Sequence, residues 1–144
     1  MPQSEQSRFA YDGSDGPDGA IGSAEIHEAK GAVVVEFRGE IDVAARLRVL
    51  PVLDTVTGRH DATVVLDLRP TTFFDCSGVS LLVRAHRRVT ERGGRLCVVC
   101  VRPMTLRMLR VTRLLPTLSP TPTLDAALRQ LGATPCSTPT SAQQ

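Results

Sequence analysis

Residues 63–101, TVVLDLRPTTFFDCSGVSLLVRAHRRVTERGGRLCVVCV, read as strand, turn, helix, turn and strand. Thr63-Val64-Val65-Leu66-Asp67-Leu68 is short and β-branched at its start, the composition of a strand. Ser77 to Arg92 sets Val79, Leu82, Val83, His86 and Val89 on one helical face and Arg84, Arg87 and Arg88 off it. Gly93-Gly94 follows, where a helix C-terminus favours glycine. Arg95 to Val101 is apolar on both faces, the pattern of a buried central strand. Strands joined through a helix form a parallel pair with a right-handed crossover, so the fold class is α/β.

The same alternation extends outward. Ala32-Val33-Val34-Val35-Glu36-Phe37 is another strand, and a weaker one is expected around Ala24 to Glu28. Val43 to Val56 carries Leu47, Leu50, Leu53 and Val56 at three-residue spacing, and Pro51 inside it predicts a kink or a break. Pro103 opens a short helix through Met104, Met108 and Leu109. Leu124, Ala127, Leu128 and Leu131 form a last amphipathic helix capped by Thr123. The expectation is a single α/β domain over residues 25–131, a mixed sheet of four to five strands packed against about four helices. Residues 1–24 are polar, rich in Gly and Asp, and read as a flexible leader; residues 132–144 read as a disordered Thr/Ser/Pro/Gln tail.

Composition narrows the function. A chain of 144 residues supports one sizeable core, and with 3% aromatics and no Trp that core must be aliphatic. No apolar run is long enough to cross a bilayer and no secretory signal begins the sequence, so the expected location is cytoplasmic and the four cysteines are expected as thiols. Cys97 and Cys100 have metal-site spacing, but three residues apart in a strand they point to opposite faces, which predicts two buried thiols. His27, His60 and His86 form no ligand pattern, and no phosphate-binding glycine loop or nucleophile elbow occurs. No metal or cofactor is expected, and no enzymatic activity.

Charge is unevenly spread. Met1 to Asp42 carries nine acidic and three basic residues, whereas Arg84 to Arg113 carries arginines at 84, 87, 88, 92, 95, 102, 107, 110 and 113 against Glu91 alone. The basic segment reads either as solvated helix faces or as an anionic-partner surface. A nucleic-acid role lacks a stacking platform, since no aromatic residue follows Phe74. An acidic protein partner fits better, with Arg84, Arg87 and Arg88 and the preceding turn as its contact face.

That turn, Phe73-Phe74-Asp75-Cys76-Ser77-Gly78, is the sharpest local feature. Asp, Cys and Ser lie at the positive end of a helix, where unpaired backbone N–H groups accept a capping carboxylate or an anion. Gly78 lets the backbone approach closely. By chemistry alone it is a helix cap or an anion-responsive turn.

Taken with Gly39-Glu40-Ile41-Asp42, Val64-Val65-Leu66-Asp67-Leu68, Gly93-Gly94 and Pro103, the turn resembles the anti-sigma factor antagonist branch of the STAS family, over about residues 30–131. That resemblance implies a protein that binds an anti-sigma factor with serine-kinase activity and so releases a sigma factor. It also implies a switch, in which phosphorylation of a turn serine blocks binding and a phosphatase restores it. Carried over residue by residue, it implies partner-binding roles for Asp42, Asp75, Cys76, Ser77 and Gly78; the charge pattern adds Arg84 to the expected partner-binding residues, and the expected assembly is a monomer or weak dimer with no membrane or nucleic-acid partner. The chain departs from the family at the centre. The usual phosphoacceptor position holds Cys76, and a thiol is not a serine kinase's substrate. Three readings follow: an antagonist that no kinase silences, phosphorylation of Ser77 instead, or a redox role for Cys76, whose pKa a helix N-terminus lowers. A second departure is Val111-Thr112-Arg113-Leu114, where many relatives have a glycine turn.

Overall fold

A two-residue turn at Lys30-Gly31, with φ of 51° and 83°, folds β1 (Ser23–Ala29) back on β2 (Ala32–Ile41). Paired positive φ values are the twist that a tight antiparallel hairpin requires. The structure is a computed structural model and describes residues 21–132; the expected tail at 132–144, apart from Gly132, and most of the expected leader lie outside the described residues. β1 turns the weak expected strand into a seven-residue one that begins at Ser23, two residues before the expected domain boundary.

Next come α1 (Val43–Thr57), β3 (Thr63–Asp67), β4 (Thr71–Phe74), α2 (Cys76–Glu91) and β5 (Arg95–Val99). Then α3 (Pro103–Val111), the single turn α4 (Leu115–Leu118) and α5 (Leu124–Gly132) complete the described chain. The sheet order is β1-β2-β3-β5, with β4 pairing the far end of β2. β2–β3, β3–β5 and β2–β4 are parallel, and β1 alone is antiparallel. The expected mixed sheet is therefore present, with five strands and five helices.

Alternation along β2 divides the core. Val35, Phe37 and Ile41 face α1 and α2 and join Val49, Leu53, Leu66, Leu81, Leu82 and Val98 in the main core. Ala32 and Val34 face the other way, and Val65, Cys97, Val99, Ala127 and Leu131 close a smaller core under α5. Cys97 and Cys100 fall in different cores as their spacing requires, and burial pushes both thiols up.

Four expectations need correction. β5 is not central but last in the sheet order. It is apolar on both faces because a core lies on each, and its open edge is covered by Thr121, which donates to the Val98 carbonyl while the Cys100 amide donates to the Thr121 carbonyl. Second, of the kink or break expected at Pro51 there is no break, and α1 runs through it as one helix. Pro51 is exposed, as is Leu47, whose carbonyl a residue at 51 would normally engage, so water can serve the carbonyl that proline leaves unpaired. Third, the buried stripe of α1 is Ala45, Val49, Leu53 and Val56; Leu47, expected inside, is 77% exposed. Fourth, the core stripe of α2 is Gly78, Val79, Leu81, Leu82, Ala85 and Val89, leaving Val83 and His86 only half-buried.

Candidate functional site

Ile41 and Phe74 are register partners in the parallel pair β2–β4. The residues that follow them, Asp42 and Asp75, therefore stand side by side, and the Asp75 amide donates to the Ile41 carbonyl at 3.4 Å. Each aspartate is the N-cap of the next helix. Asp42 accepts from the Ala45 amide at 2.9 Å, and Asp75 from the Ser77 amide at 2.8 Å. Both caps are extended, as the geometry demands. Two positive helix ends thus meet at one rim of the sheet, each with its own carboxylate.

Gly78 has a packing reason. A Cβ there would lie 2.6 Å from the Phe74 ring, so the ring that ends β4 rests on the first turn of α2. Cys76, at the first helical position, is exposed, and Ser77 is half-buried. Ser80, one turn on, donates to the Ser77 carbonyl and accepts from Arg46 Nη1 at 2.6 Å, linking α1 to α2 near the rim.

Arg84 sits elsewhere. It makes a two-pronged ion pair with Asp54 of α1, Nε–Oδ1 and Nη2–Oδ2 both 2.9 Å. Arg88 donates to Thr57 Oγ1 at 2.9 Å and to the Asp54 carbonyl at 3.0 Å. The Arg84 guanidinium, by its hydrogen bond and then its charge, holds the Asp54 carboxyl below its usual range, helped by Arg88 and Arg46 and opposed by partial burial. Of the three arginines expected on a contact face, only Arg87 is fully exposed; Arg84 and Arg88 brace the helices. The basic segment is divided further. Arg102 donates to the Thr71 and Thr72 carbonyls, while Arg107 and Arg110 lie on the exposed side of α3. Asp67, the acid of the second motif, is buried and accepts from the Arg69 backbone amide and guanidinium at 2.8–3.0 Å, which fixes the turn into β4.

A family-level match covers most of this architecture: residues 23–127 match the STAS domain model. The chain belongs to the STAS family. A relative from Paenibacillus polymyxa, an anti-sigma F factor antagonist, is 26% identical over 91 residues, covering 62% of this chain and 78% of that protein. The crystal structure of an anti-sigma factor antagonist from Mycobacterium paratuberculosis is 28% identical, with a TM-score of 0.63 over 76% of this chain and 93% of that one. SpoIIAA of Bacillus in its phosphorylated form shares the fold at 20% identity and a TM-score of 0.60, covering 75% of this chain and 98% of that one. Among the described residues of this STAS domain, no helix is long and apolar enough to cross a membrane and no group of three or more His, Cys, Asp or Glu could hold a metal ion.

Several apolar side chains that the sequence pattern did not mark as site residues are exposed. Val43 is 70% exposed and Leu47, one turn further along α1, lies on the same side of the helix. Phe73 in β4 is 47% exposed, and Met104 is exposed in the first turn of α3. The available signal was that the first two turns of α1 hold two apolar i, i+4 pairs on different faces, 45/49 and 43/47, of which only one can face the core.

Proposed function

We propose that this protein is an anti-sigma factor antagonist, which binds an anti-sigma factor with serine-kinase activity and so releases a sigma factor in the cytoplasm. The contact is centred on the rim of Asp42, Asp75, Cys76, Ser77 and Gly78, with Val43 and Leu47 as its apolar part. The observation that carries this reading is the register of Ile41 with Phe74, which sets two capped helix ends beside outward-facing apolar residues. Exposed apolar groups beside ordered polar ones are the composition of a protein-binding surface. The relatives named above supply the class of partner. Arg84 acts from behind, holding α2 against α1.

Regulation follows from the rim's chemistry. A phosphoryl group adds about two negative charges at neutral pH, and placed between two capping carboxylates it would oppose an acidic or apolar partner. The exposed group at the first helical position is the Cys76 thiol, which a serine kinase does not modify, so the antagonist is constitutively competent at this position. Ser77 is the remaining hydroxyl of the turn and is half-buried, its amide already held by Asp75.

Native mass spectrometry with candidate anti-sigma kinases and ATP, alongside Cys76→Ser, tests both parts. The expected result is a complex with unmodified wild-type protein and one added phosphoryl group on the Cys76→Ser variant. Phosphorylation of wild-type Ser77 would move the switch by one residue. No complex with any candidate would remove the proposal.

A further inference from the structure

A groove of about 400 Å³ opens between α3 and α4, lined by Leu106, Arg110, Leu115, Pro116, Ser119 and Pro120. Leu106 and Leu115 are half-buried against the main core, so the apolar floor is held in place by the domain itself. A floor that is already ordered lowers the cost of binding on it. None of these lining residues belongs to the rim of Asp42 and Asp75.

The charge beside the groove has no use inside the domain. Arg84, Arg88 and Arg102 all find partners in α1 or β4. Arg107, Arg110 and Arg113 are exposed, and none of the three has an acidic partner among the described residues. Arg107 and Arg110 are three residues apart on α3, so they share a side of it. Arg113 lies in the turn between α3 and α4. The sequence has no acid from Pro103 to Thr123 to offset them. Like charges at this spacing repel one another and attract an anion.

We propose that the α3–α4 groove docks an acidic, amphipathic segment of another protein. The segment lays its apolar side chains on Leu106, Leu115, Pro116 and Pro120 and turns its carboxylates toward Arg107, Arg110 and Arg113. Both halves are needed. A wholly apolar segment leaves the guanidinium groups uncompensated, and a wholly acidic one leaves the apolar floor in water. A nucleic acid fits less well, because no aromatic side chain lines the groove to stack on a base. The docking does not depend on the rim's function.

The probe is a fluorescein-labelled peptide of five Leu-Glu-Glu repeats, titrated with the full chain at low salt and followed by fluorescence polarisation. Saturable binding is expected, weakened by high salt. R107S/R110S should bind it about tenfold less tightly, as the loss of two exposed charge contacts does. Peptides of Ser-Glu-Glu or of Leu-Gln-Gln repeats should be weaker than the probe by a similar factor. R87S/R95S removes two exposed arginines that do not line the groove and should bind like the wild type. Unchanged thermal unfolding of both variants confirms that these surface changes spare the fold. Absence of saturable binding to the wild type overturns the proposal. An equal loss in R87S/R95S also overturns it, by making the attraction one of overall charge, as does Ser-Glu-Glu binding as tightly as the probe. Phosphatidylglycerol vesicles or single-stranded DNA held more tightly than the probe through Arg107 and Arg110 would assign the surface to a polyanion instead. With an anti-sigma kinase, R107S/R110S should form the complex as the wild type does; its loss would merge the groove with the rim contact and overturn a separate docking site. If the probe binds but no anti-sigma complex forms, the rim function fails and the docking stands.

Discussion

The seam between α1 and α2 has two ends built in opposite ways. At the far end Asp54, Thr57, Arg84 and Arg88 satisfy one another, and the Arg84–Asp54 fork is the kind of pair in which geometry adds to charge. At the rim Asp42 and Asp75 satisfy only their own helices, and Val43 and Leu47 face outward. One end closes on the domain and the other leaves apolar area uncovered. A side chain that costs free energy while exposed is stabilised when a partner covers it, so on the proposed function the two ends divide stability from binding.

The comparison is broken most directly at Leu47. Leu47→Arg should lower affinity for the anti-sigma partner by about 30-fold or more, as loss of about 2 kcal/mol at a central apolar contact does. Its unfolding midpoint should match the wild type, because Leu47 is outside the core. Titration calorimetry and thermal unfolding together check this; a fall in stability with unchanged affinity would reverse the roles of the two ends.

Asp54→Asn is the converse. It should destabilise the domain by about 1 kcal/mol at most, since it replaces a forked but solvent-screened ion pair by a neutral contact, and leave affinity nearly unchanged. The pH dependence has a definite sign. The folded-state pKa of Asp54 lies below its ordinary value of 3.8. Its stabilisation is therefore present above the unfolded-state value and lost as pH falls through the folded-state one. Urea unfolding followed below about pH 4 should show a shallower acid decline in Asp54→Asn than in the wild type.

How much of this division could be read in the sequence depends on the range of the forces. The helix α2, its glycine stop and the capping role of Asp75 follow from residues within one or two turns of each other. The β2–β4 pairing does not. Four residues, Thr71–Phe74, are too short for a periodic signal, and only their docking against Gly39–Ile41 makes them a strand and brings Asp42 to Asp75. Leu47 was misplaced for a related reason. Three-residue spacing through Leu47, Leu50, Leu53 and Val56 is a plausible helical stripe, but the sheet below selects Ala45 and Val49, whose small volumes let α1 lie close. Arg84 looked available because a sequence shows a charge and not its partner, and Asp54 lies thirty residues away.

Asp75→Ala sharpens the comparison at the rim itself. Loss of the cap should cost about 1 kcal/mol of stability. Because the same carboxylate sits at the contact, affinity should fall as well, unlike in Asp54→Asn. Chemical denaturation and binding measured on the same preparation separate the cases. A stability loss alone would make Asp75 a cap and nothing more, and would shift the contact toward Val43 and Leu47.

The smallest effect is expected at Arg113, outside the seam. It has φ of 64° in the turn that ends α3, with the Arg113 amide donating to the Arg110 carbonyl and the Leu114 amide to the Leu109 carbonyl. A side chain in that left-handed conformation costs roughly 1 kcal/mol, which glycine avoids, while glycine gives back about half of that through a freer unfolded chain. Arg113→Gly should therefore raise stability by about 0.5 kcal/mol, read as a small upward shift in the urea midpoint. The same substitution should leave partner affinity at the seam unchanged, since Arg113 lies outside it, and a fall in affinity would extend the contact to the end of α3.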